Sequence, residues 1–155
     1  MQVEFRPGRV DEGDGRALLA EFATEMGALY DGLDLAAPGM PTAGPADLGP
    51  PGGAFLVGYA DGEPICCGGV KRLGDEACEL KRMYVVPSAR RRGVARKLLH
   101  ALEATGRSLG YAVARMDTGP RQPHAMAFYE AEGYAPIGNF NGNPAASWWG
   151  EKPLG

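Results

Sequence analysis

Hydrophobic residues follow two different spacings along this chain, and the spacings predict where helices and strands lie. After a short opening strand at residues 3–6, apolar side chains recur every three or four positions over residues 18–33, which predicts an amphipathic helix. From residue 54 to residue 86, three apolar stretches are separated by turn signals at Asp61-Gly62 and Gly74-Asp75. This arrangement predicts an antiparallel meander of three strands.

A second helical spacing follows the meander. Pro87 closes the third strand because it has no N–H to donate to a ladder, and Ser88 is a candidate cap for the helix that begins a few residues later. Gly110 is the expected left-handed stop of that helix. The apolar residues predicted to share its buried face are Val94, Ala95, Leu98, Leu99, Leu102 and Leu109.

The last third of the chain again alternates strand and helix. Arg115 and Asp117 are two positions apart in a predicted strand, so their side chains share a face and can pair. The elements expected here are a strand at 111–118, an amphipathic helix at 122–133, and two strands at 134–137 and 147–152.

Between the first helix and the meander, residues 36–53 change abruptly in composition. Proline and glycine make up more than half of this segment, so it cannot sustain a helix or a strand. A loop of this length either is disordered or lines a binding site. Three aromatic residues also have two possible roles. They either line an acceptor pocket or pack in the core and over the edge of the sheet, and they are Tyr30, Trp148 and Trp149.

Length and charge narrow the class of protein. A chain of 155 residues suits one domain, 1–155, and a net charge of -3 argues against a general nucleic-acid binder. The first residues lack the apolar core of a signal peptide, and no apolar run approaches the roughly 20 residues that span a bilayer. We therefore expect a cytoplasmic protein without a membrane partner.

Cysteine chemistry has little support. Cys66, Cys67 and Cys78 form no metal-ligand spacing with one another or with the two histidines, His100 and His124. Buried, reduced cysteines and no metal site are the expectation.

The most conspicuous motif is a cluster of positive charge where the second helix begins. Four of the seven residues from Arg90 to Arg96 are arginine, and Gly93 lies among them. Cations at a helix amino terminus oppose the macrodipole, which costs some tenths of a kcal/mol up to about 1 kcal/mol each. The cluster is therefore either a site for an anion such as a diphosphate or a solvated basic helix start.

Neighbouring residues extend this cluster into a family pattern. Residues 90–95, RRRGVA, match Gln/Arg-x-x-Gly-x-Gly/Ala directly after a strand, and residues 122–134 match Asn-x-x-Ala-x-x-Leu-Tyr-x-x-x-Gly-Phe. In both order and spacing, the chain resembles the GNAT superfamily of N-acetyltransferases. It departs from the pattern at Gln122, where asparagine is more usual, and at Ala95, which replaces the second glycine.

The resemblance implies a fold and a cofactor. The fold is α+β, a three-layer arrangement in which a mixed, mostly antiparallel sheet of about six to seven strands is flanked by about four helices. The cofactor is acetyl-CoA. Backbone amides of residues 91–95, within the arginine loop of residues 90–96, would hold its pyrophosphate, and the third meander strand would pair with its pantetheine arm. The residues implied in cofactor binding are Met83, Val85, Arg90, Arg91, Arg92, Gly93, Val94, Ala95, Arg96, Gln122 and Tyr129.

Three residues are candidates for catalysis. Glu79 occupies the strand position where several family members carry a general base, although it is equally a strand carboxylate paired with Lys81 or Arg82. Glu79, Lys81, Met83 and Val85 share a face if the strand is regular, and a bulge near Met83 would break that parity. Tyr129 is either the general acid or a core tyrosine. The N–H of Met83 is the candidate oxyanion donor.

The resemblance therefore implies an acetyltransferase that moves the acetyl group of acetyl-CoA to a primary amine by direct attack in a ternary complex. The alternative is a noncatalytic acyl-CoA-binding or sensing module. The acceptor is a small molecule or a peptide amine, and a homodimer is compatible with the sequence.

Overall fold

The computed structural model describes all residues, 1–155, as seven strands and three α-helices. In chain order, these elements are β1 (Glu4–Pro7), α1 (Gly13–Leu29), β2 (Ala54–Ala60), β3 (Glu63–Arg72), β4 (Ala77–Val85), α2 (Val94–Ser108), β5 (Val113–Thr118), α3 (Pro123–Ala131), β6 (Ala135–Ile137) and β7 (Trp148–Pro153). None of the helices combines the length and apolar character needed to cross a membrane.

The strands form one mixed sheet in the order β1-β2-β3-β4-β5-β7-β6. All neighbours are antiparallel except β4 and β5, which run parallel. Helix α1 packs on one face of the sheet, and α2 and α3 pack on the other. The predicted α+β arrangement and sheet are confirmed, but there are three α-helices rather than four, because the segment between α1 and β2 is too rich in proline and glycine to hold one.

The larger core lies between α2 and the sheet. Leu98, Leu99 and Leu102 are fully buried, and each contributes about 1.5–3 kcal/mol relative to an exposed side chain. Leu109, which the spacing placed on the same face, is exposed at the end of the helix. Gly110 follows it with a φ of +94°, as the sequence predicted for the stop.

The smaller core lies beneath α1. Leu18 meets Phe55 and Val57 of β2 there, and Leu48 of the proline- and glycine-rich segment is buried in the same cluster. The helix ends at Leu29 because Asp31 and Gly32 adopt positive φ values, so the apolar spacing to residue 33 overstated its length. The segment 36–53 has no helix or strand, as predicted, and it is packed against the sheet through Leu48.

Helix α2 begins later than its predicted cap. Ser88 lies in a single 3-10 turn, Pro87–Ala89, and Gly93 occupies the N-cap of α2 with a φ of +77° and no side-chain cap. A left-handed residue is needed where the chain turns from the 3-10 turn into the helix, and glycine adopts that conformation without a steric cost. Ser88 is therefore not the cap.

A β-bulge in β4 changes which side chains share a face. Lys81 pairs with Gly69 and Tyr84 with Cys67, so Arg82 and Met83 together oppose a single residue of β3. Arg82 has a φ of +58°. Cys78 and Leu80 before the bulge and Met83 and Val85 after it all pack on the α2 side, whereas Tyr84 packs beneath α1.

Glu79, Lys81, Met83 and Val85 therefore do not share a face as they would in a regular strand, because the bulge near Met83 that would break the parity is present. Alternation places Glu79 and Lys81 opposite the buried Cys78 and Leu80, on the α1 face. The bulge then reverses the alternation, so Met83 and Val85 turn to the other face. Buried cysteines are confirmed, and burial raises the pKa of the Cys66 and Cys78 thiols to about 11.

Two glycines of α1 provide a test of this packing. A Cβ at Gly15 would overlap the carbonyl oxygen of Arg9 and press on the Phe55 ring, whereas a Cβ at Gly27 would meet only the carbonyl oxygen of Leu33 at 3.5 Å. We expect Gly27→Ala to raise the free energy of unfolding by about 0.5–1 kcal/mol. Gly15→Ala is expected to lower it by about 1–3 kcal/mol despite the same gain in helix propensity. Urea unfolding of both variants measures the difference, and equal effects would contradict the close approach of α1 to the sheet.

Candidate active site

The parallel strands β4 and β5 separate partway along their length. Their pairing covers Ala77 to Glu79 on β4 and stops at Glu79 opposite Arg115. Beyond that point β5 continues to pair with β7 as far as Thr118, while the bulge redirects β4. One edge of β4 from residue 80 to residue 85 therefore lacks a strand partner. Such an edge can accept an extended ligand as though it were an added strand.

The loop before α2 presents a row of free backbone donors. The N–H groups of residues 91–96 find no acceptor on the backbone or on any side chain of the protein. Arg91 and Gly93 both have positive φ values, 62° and 77°, and apart from its chain neighbours no residue lies within 4 Å of the position a Cβ would take on Gly93. Convergent N–H groups at a helix amino terminus form a site suited to a phosphate.

The four arginine side chains of this loop differ in their engagement. Arg90 donates to the carbonyl oxygen of Val85 at 2.9 Å and pairs with Glu25 at 2.8 Å. Arg96 pairs with Glu132 at 3.1 Å. Arg91 and Arg92 are exposed and have no partner in the chain. Only these two side chains are free to meet a phosphate without breaking an ion pair.

Glu79 lies in a buried polar network on the α1 face of the sheet. Its side chain is 2% exposed, and the Asn141 Nδ2 donates both to Glu79 Oε2 at 2.9 Å and to Asp117 Oδ2 at 2.6 Å. Lys81 Nζ lies 3.8 Å from Glu79 Oε2, and Trp149 Nε1 donates to Asn141 Oδ1 at 3.0 Å. Burial raises the pKa of Glu79, and the positive charge of Lys81 offsets this rise only in part.

Tyr129 of α3 reaches across to the bulge of β4. Its hydroxyl lies 3.8 Å from the sulfur of Met83, and its ring stacks on Trp148 with centroids 6.3 Å apart. Burial raises the pKa of Tyr129 to about 12, so the phenol keeps its proton at neutral pH. The two predicted roles are compatible, because the ring contributes to the core while the residue also lines a cavity.

That cavity, of about 120 Å³, opens between α1, β4 and β5. Two buried oxygens in its lining, Glu79 Oε1 and Thr118 Oγ1, have no hydrogen-bond partner. Leaving buried polar atoms unpaired lowers the stability of the fold, and a bound ligand can supply the missing hydrogen-bond partners. The polar and aromatic lining includes Tyr30, Glu79, Lys81, Arg82, Asp117, Thr118, Gln122 and Tyr129.

A family model for the acetyltransferase (GNAT) domain matches residues 51–136. The chain belongs to the GNAT family. The matched range contains all of the residues predicted for catalysis and cofactor binding, from Glu79 to Tyr129.

Individual relatives agree with the family assignment. An IAA acetyltransferase of Azospirillum brasilense is 34% identical over 103 residues, which cover 64% of this chain and 67% of that protein. A protein of Klebsiella pneumoniae, proposed to be an acyl-CoA N-acyltransferase, is 27% identical with a TM-score of 0.78, covering 98% of this chain and 97% of its own. A GNAT acetyltransferase of Elizabethkingia anophelis, solved with acetyl-CoA bound, is similar in fold, with 15% identity, a TM-score of 0.66 and 97% of each chain covered.

Asp117 is a residue of this GNAT site that the sequence suggested only as a possible partner of Arg115. The expected pair with Arg115 does not form, because Arg115 pairs with Glu151 at 3.0 Å. Asp117 instead accepts hydrogen bonds from Asn141 and from Asn143, the latter at 3.0 Å. Both asparagines lie in the turn-rich link before β7, and nothing in their spacing reveals that the link folds back over β4 and β5.

Gln122 and Tyr30 meet at the rim of the cavity. The Tyr30 hydroxyl donates to Gln122 Oε1 at 3.0 Å and accepts the N–H of Arg121 at 3.3 Å. Of the three aromatic residues considered for an acceptor wall, Tyr30 lines the cavity, whereas Trp148 is buried beneath Tyr129 and Trp149 anchors Asn141.

The Asn141 amide provides a test of the network. Asn141→Asp keeps the oxygen that accepts from Trp149 but replaces the shared donor with a third carboxylate, so we expect about 1–3 kcal/mol of lost stability at pH 7. Burial raises the pKa of Glu79, so as the pH falls the folded Asn141→Asp protein takes up a proton before its unfolded chain does. This proton uptake relieves the repulsion between the carboxylates, so the loss of stability should shrink as the pH falls towards 5.

Urea unfolding at pH 7 and at pH 5 measures both effects. Asn139→Asp is the matched control, because it adds the same charge at an exposed position where Oδ1 accepts the backbone N–H groups of Asn141 and Gly142. An Asn141→Asp variant as stable as this control, or equally destabilised at the two pH values, would contradict the shared hydrogen bond.

Proposed function

We propose that this GNAT protein transfers the acetyl group of acetyl-CoA to a primary amine by direct attack in a ternary complex. One observation carries the proposal: the unpaired edge of β4 connects the free amides of residues 91–96 with a cavity that contains Glu79 and Tyr129. A diphosphate at the loop would direct an extended chain along this edge towards the two side chains.

The residues present fit the cofactor. The amides of residues 91–96 would receive the pyrophosphate, with Arg91 and Arg92 adding charge, and the backbone of Met83 and Val85 would pair with the pantetheine arm. When bound, acetyl-CoA supplies an acyl carbon whose bond to sulfur breaks as the bond to the acceptor nitrogen forms.

Glu79 is proposed to prepare the acceptor. An alkyl ammonium group with a pKa near 10.4 is about 3.4 pH units away from neutrality at pH 7, and it must lose a proton before its nitrogen can attack. A carboxylate can accept that proton. Glu79 lines the cavity, and its Oε1 has no hydrogen-bond partner in the protein and so is free to accept that proton. Burial raises the pKa of Glu79 towards neutral pH, and a general base is most effective when its pKa lies near the pH of the reaction.

Tyr129 and Met83 are proposed to act at the other end of the reaction. The Tyr129 phenol, protonated at neutral pH, would give its proton to the departing sulfur, and the contact with Met83 fixes it beside the bulge. The backbone N–H of Met83 would stabilise the developing oxyanion.

Tyr129→Phe tests the chemistry. Purified protein is incubated with acetyl-CoA and a panel of small amines, and free thiol is followed with time. We expect turnover by the wild type and a loss of kcat of about 10²-fold or more in Tyr129→Phe, because the general acid is removed. Tyr59→Phe is the matched control, since that hydroxyl bonds to Asp14 far from the cavity.

A loss smaller than about threefold would remove Tyr129 as the general acid. Tight binding of CoA by the wild type without turnover of any amine would contradict catalysis and favour the alternative, an acyl-CoA-binding or sensing module.

A further inference from the structure

Arg82 is a guanidinium without a partner. No hydrogen bond and no salt bridge joins its side chain to any residue of the protein. The side chain is partly buried, and burial lowers the pKa of Arg82, an effect that the carboxylates of Glu79 and Asp117 offset only in part. A desolvated guanidinium has five N–H donors to satisfy, so this position favours an anionic ligand.

The β-bulge is what brings Arg82 to the cavity. In a regular strand, residue 82 would follow Cys78 and Leu80 onto the α2 face and enter the main core. The bulge places it instead on the α1 face, beside Lys81. Its left-handed backbone, with a φ of +58°, is strained for a residue other than glycine, at a cost of about 1–3 kcal/mol. Strain of this kind is often retained at binding sites.

The cavity therefore has two poles. Glu79 and Asp117 form the negative pole, and one carboxylate oxygen of Glu79 has no hydrogen-bond partner. The side chain of Lys81 is committed to Glu79, which leaves Arg82 as the free cation of the lining. Arg82 also borders the adjoining groove beneath residues 35–44.

The rest of the lining is mostly apolar. Much of it comes from α1 and from the segment that follows it, namely Phe22, Met26, Leu33, Leu35, Met40 and Pro41. These side chains offer neither donors nor acceptors, so whatever lies between the two poles gains only by apolar burial.

We propose that Arg82 binds the carboxylate of the acceptor, and that the acceptor is a free amino acid with an apolar side chain. The inference rests on the proposed acetyl transfer and names its substrate class. The α-amino group lies at the Glu79 pole, the carboxylate takes the paired N–H donors of the guanidinium, and the side chain packs against the apolar wall. The product is an N-acetyl amino acid.

Matched pairs of acceptors test this in the wild-type protein. Leucine, methionine and phenylalanine are each compared with the amine left after removal of the carboxyl group, at saturating acetyl-CoA. We expect kcat/KM for the best amino acid to exceed that of its amine by at least about tenfold, as for one charge-assisted contact.

Arg82→Gln then assigns the preference to one residue. The substitution should reduce kcat/KM for the amino acid by about 10- to 100-fold, mainly by raising KM. It should change kcat/KM for the matched amine by less than about twofold. Arg82→Lys should recover part of the loss. Arg6→Gln, which removes an exposed guanidinium on the edge strand, is the control. Calorimetric titration of the amino acids into the CoA-bound protein gives a readout independent of turnover, and thermal unfolding confirms that each variant is folded.

Equal use of amino acids and amines by the wild type, or equal losses for both in Arg82→Gln, would overturn the role of Arg82 while acetyl transfer stands. No turnover of any probe contradicts acetyl transfer. If the amino acids also fail to bind the CoA-bound protein, the proposed substrate class is wrong as well.

Discussion

The whole site depends on the point at which β4 and β5 stop pairing. Parallel strands normally continue their ladder, but here β5 is held by β7 over its full length while a bulge turns β4 away beyond Glu79. The gap leaves backbone donors and acceptors of β4 free at the centre of an otherwise continuous sheet. A hydrophobic core lies on each face of the sheet, one beneath α1 and one beneath α2, and the packing of these two helices holds the strands in place around the gap.

The bulge at Arg82 and Met83 has a second consequence, because it distributes polar side chains between the two faces. It sends Met83 towards Tyr129 and leaves Glu79 and Arg82 facing the cavity under α1. The residue proposed to act on the acyl group, Met83, and the residue proposed to bind the acceptor, Arg82, are thus both positioned by the same β-bulge. A regular strand would carry the same residues but would bury a guanidinium in the main core.

Local signals predicted much of this structure. The turn at Asp61-Gly62, the glycine stop of α2 and the arginine loop follow from backbone preferences that act within a few residues. The features that sequence could not supply are nonlocal. The bulge in β4 depends on the register with β3, and the bond of Asn141 to Asp117 depends on a link that returns over the sheet. Charge spacing likewise did not reveal that Arg90 and Arg96 are paired within the protein.

The central claim is that the loop before α2 and the adjoining edge of β4 hold coenzyme A. Isothermal titration of CoA into the wild type and into an Arg91→Glu, Gly93→Glu double variant tests it most directly. Both substitutions place negative charge beside the free amides without touching either core, and Gly93→Glu also strains the left-handed N-cap that presents those amides. The account predicts that the wild type binds CoA and that the double variant loses at least about 100-fold in affinity, as expected when charge-assisted contacts are replaced by repulsion. Unchanged affinity in the double variant would contradict it.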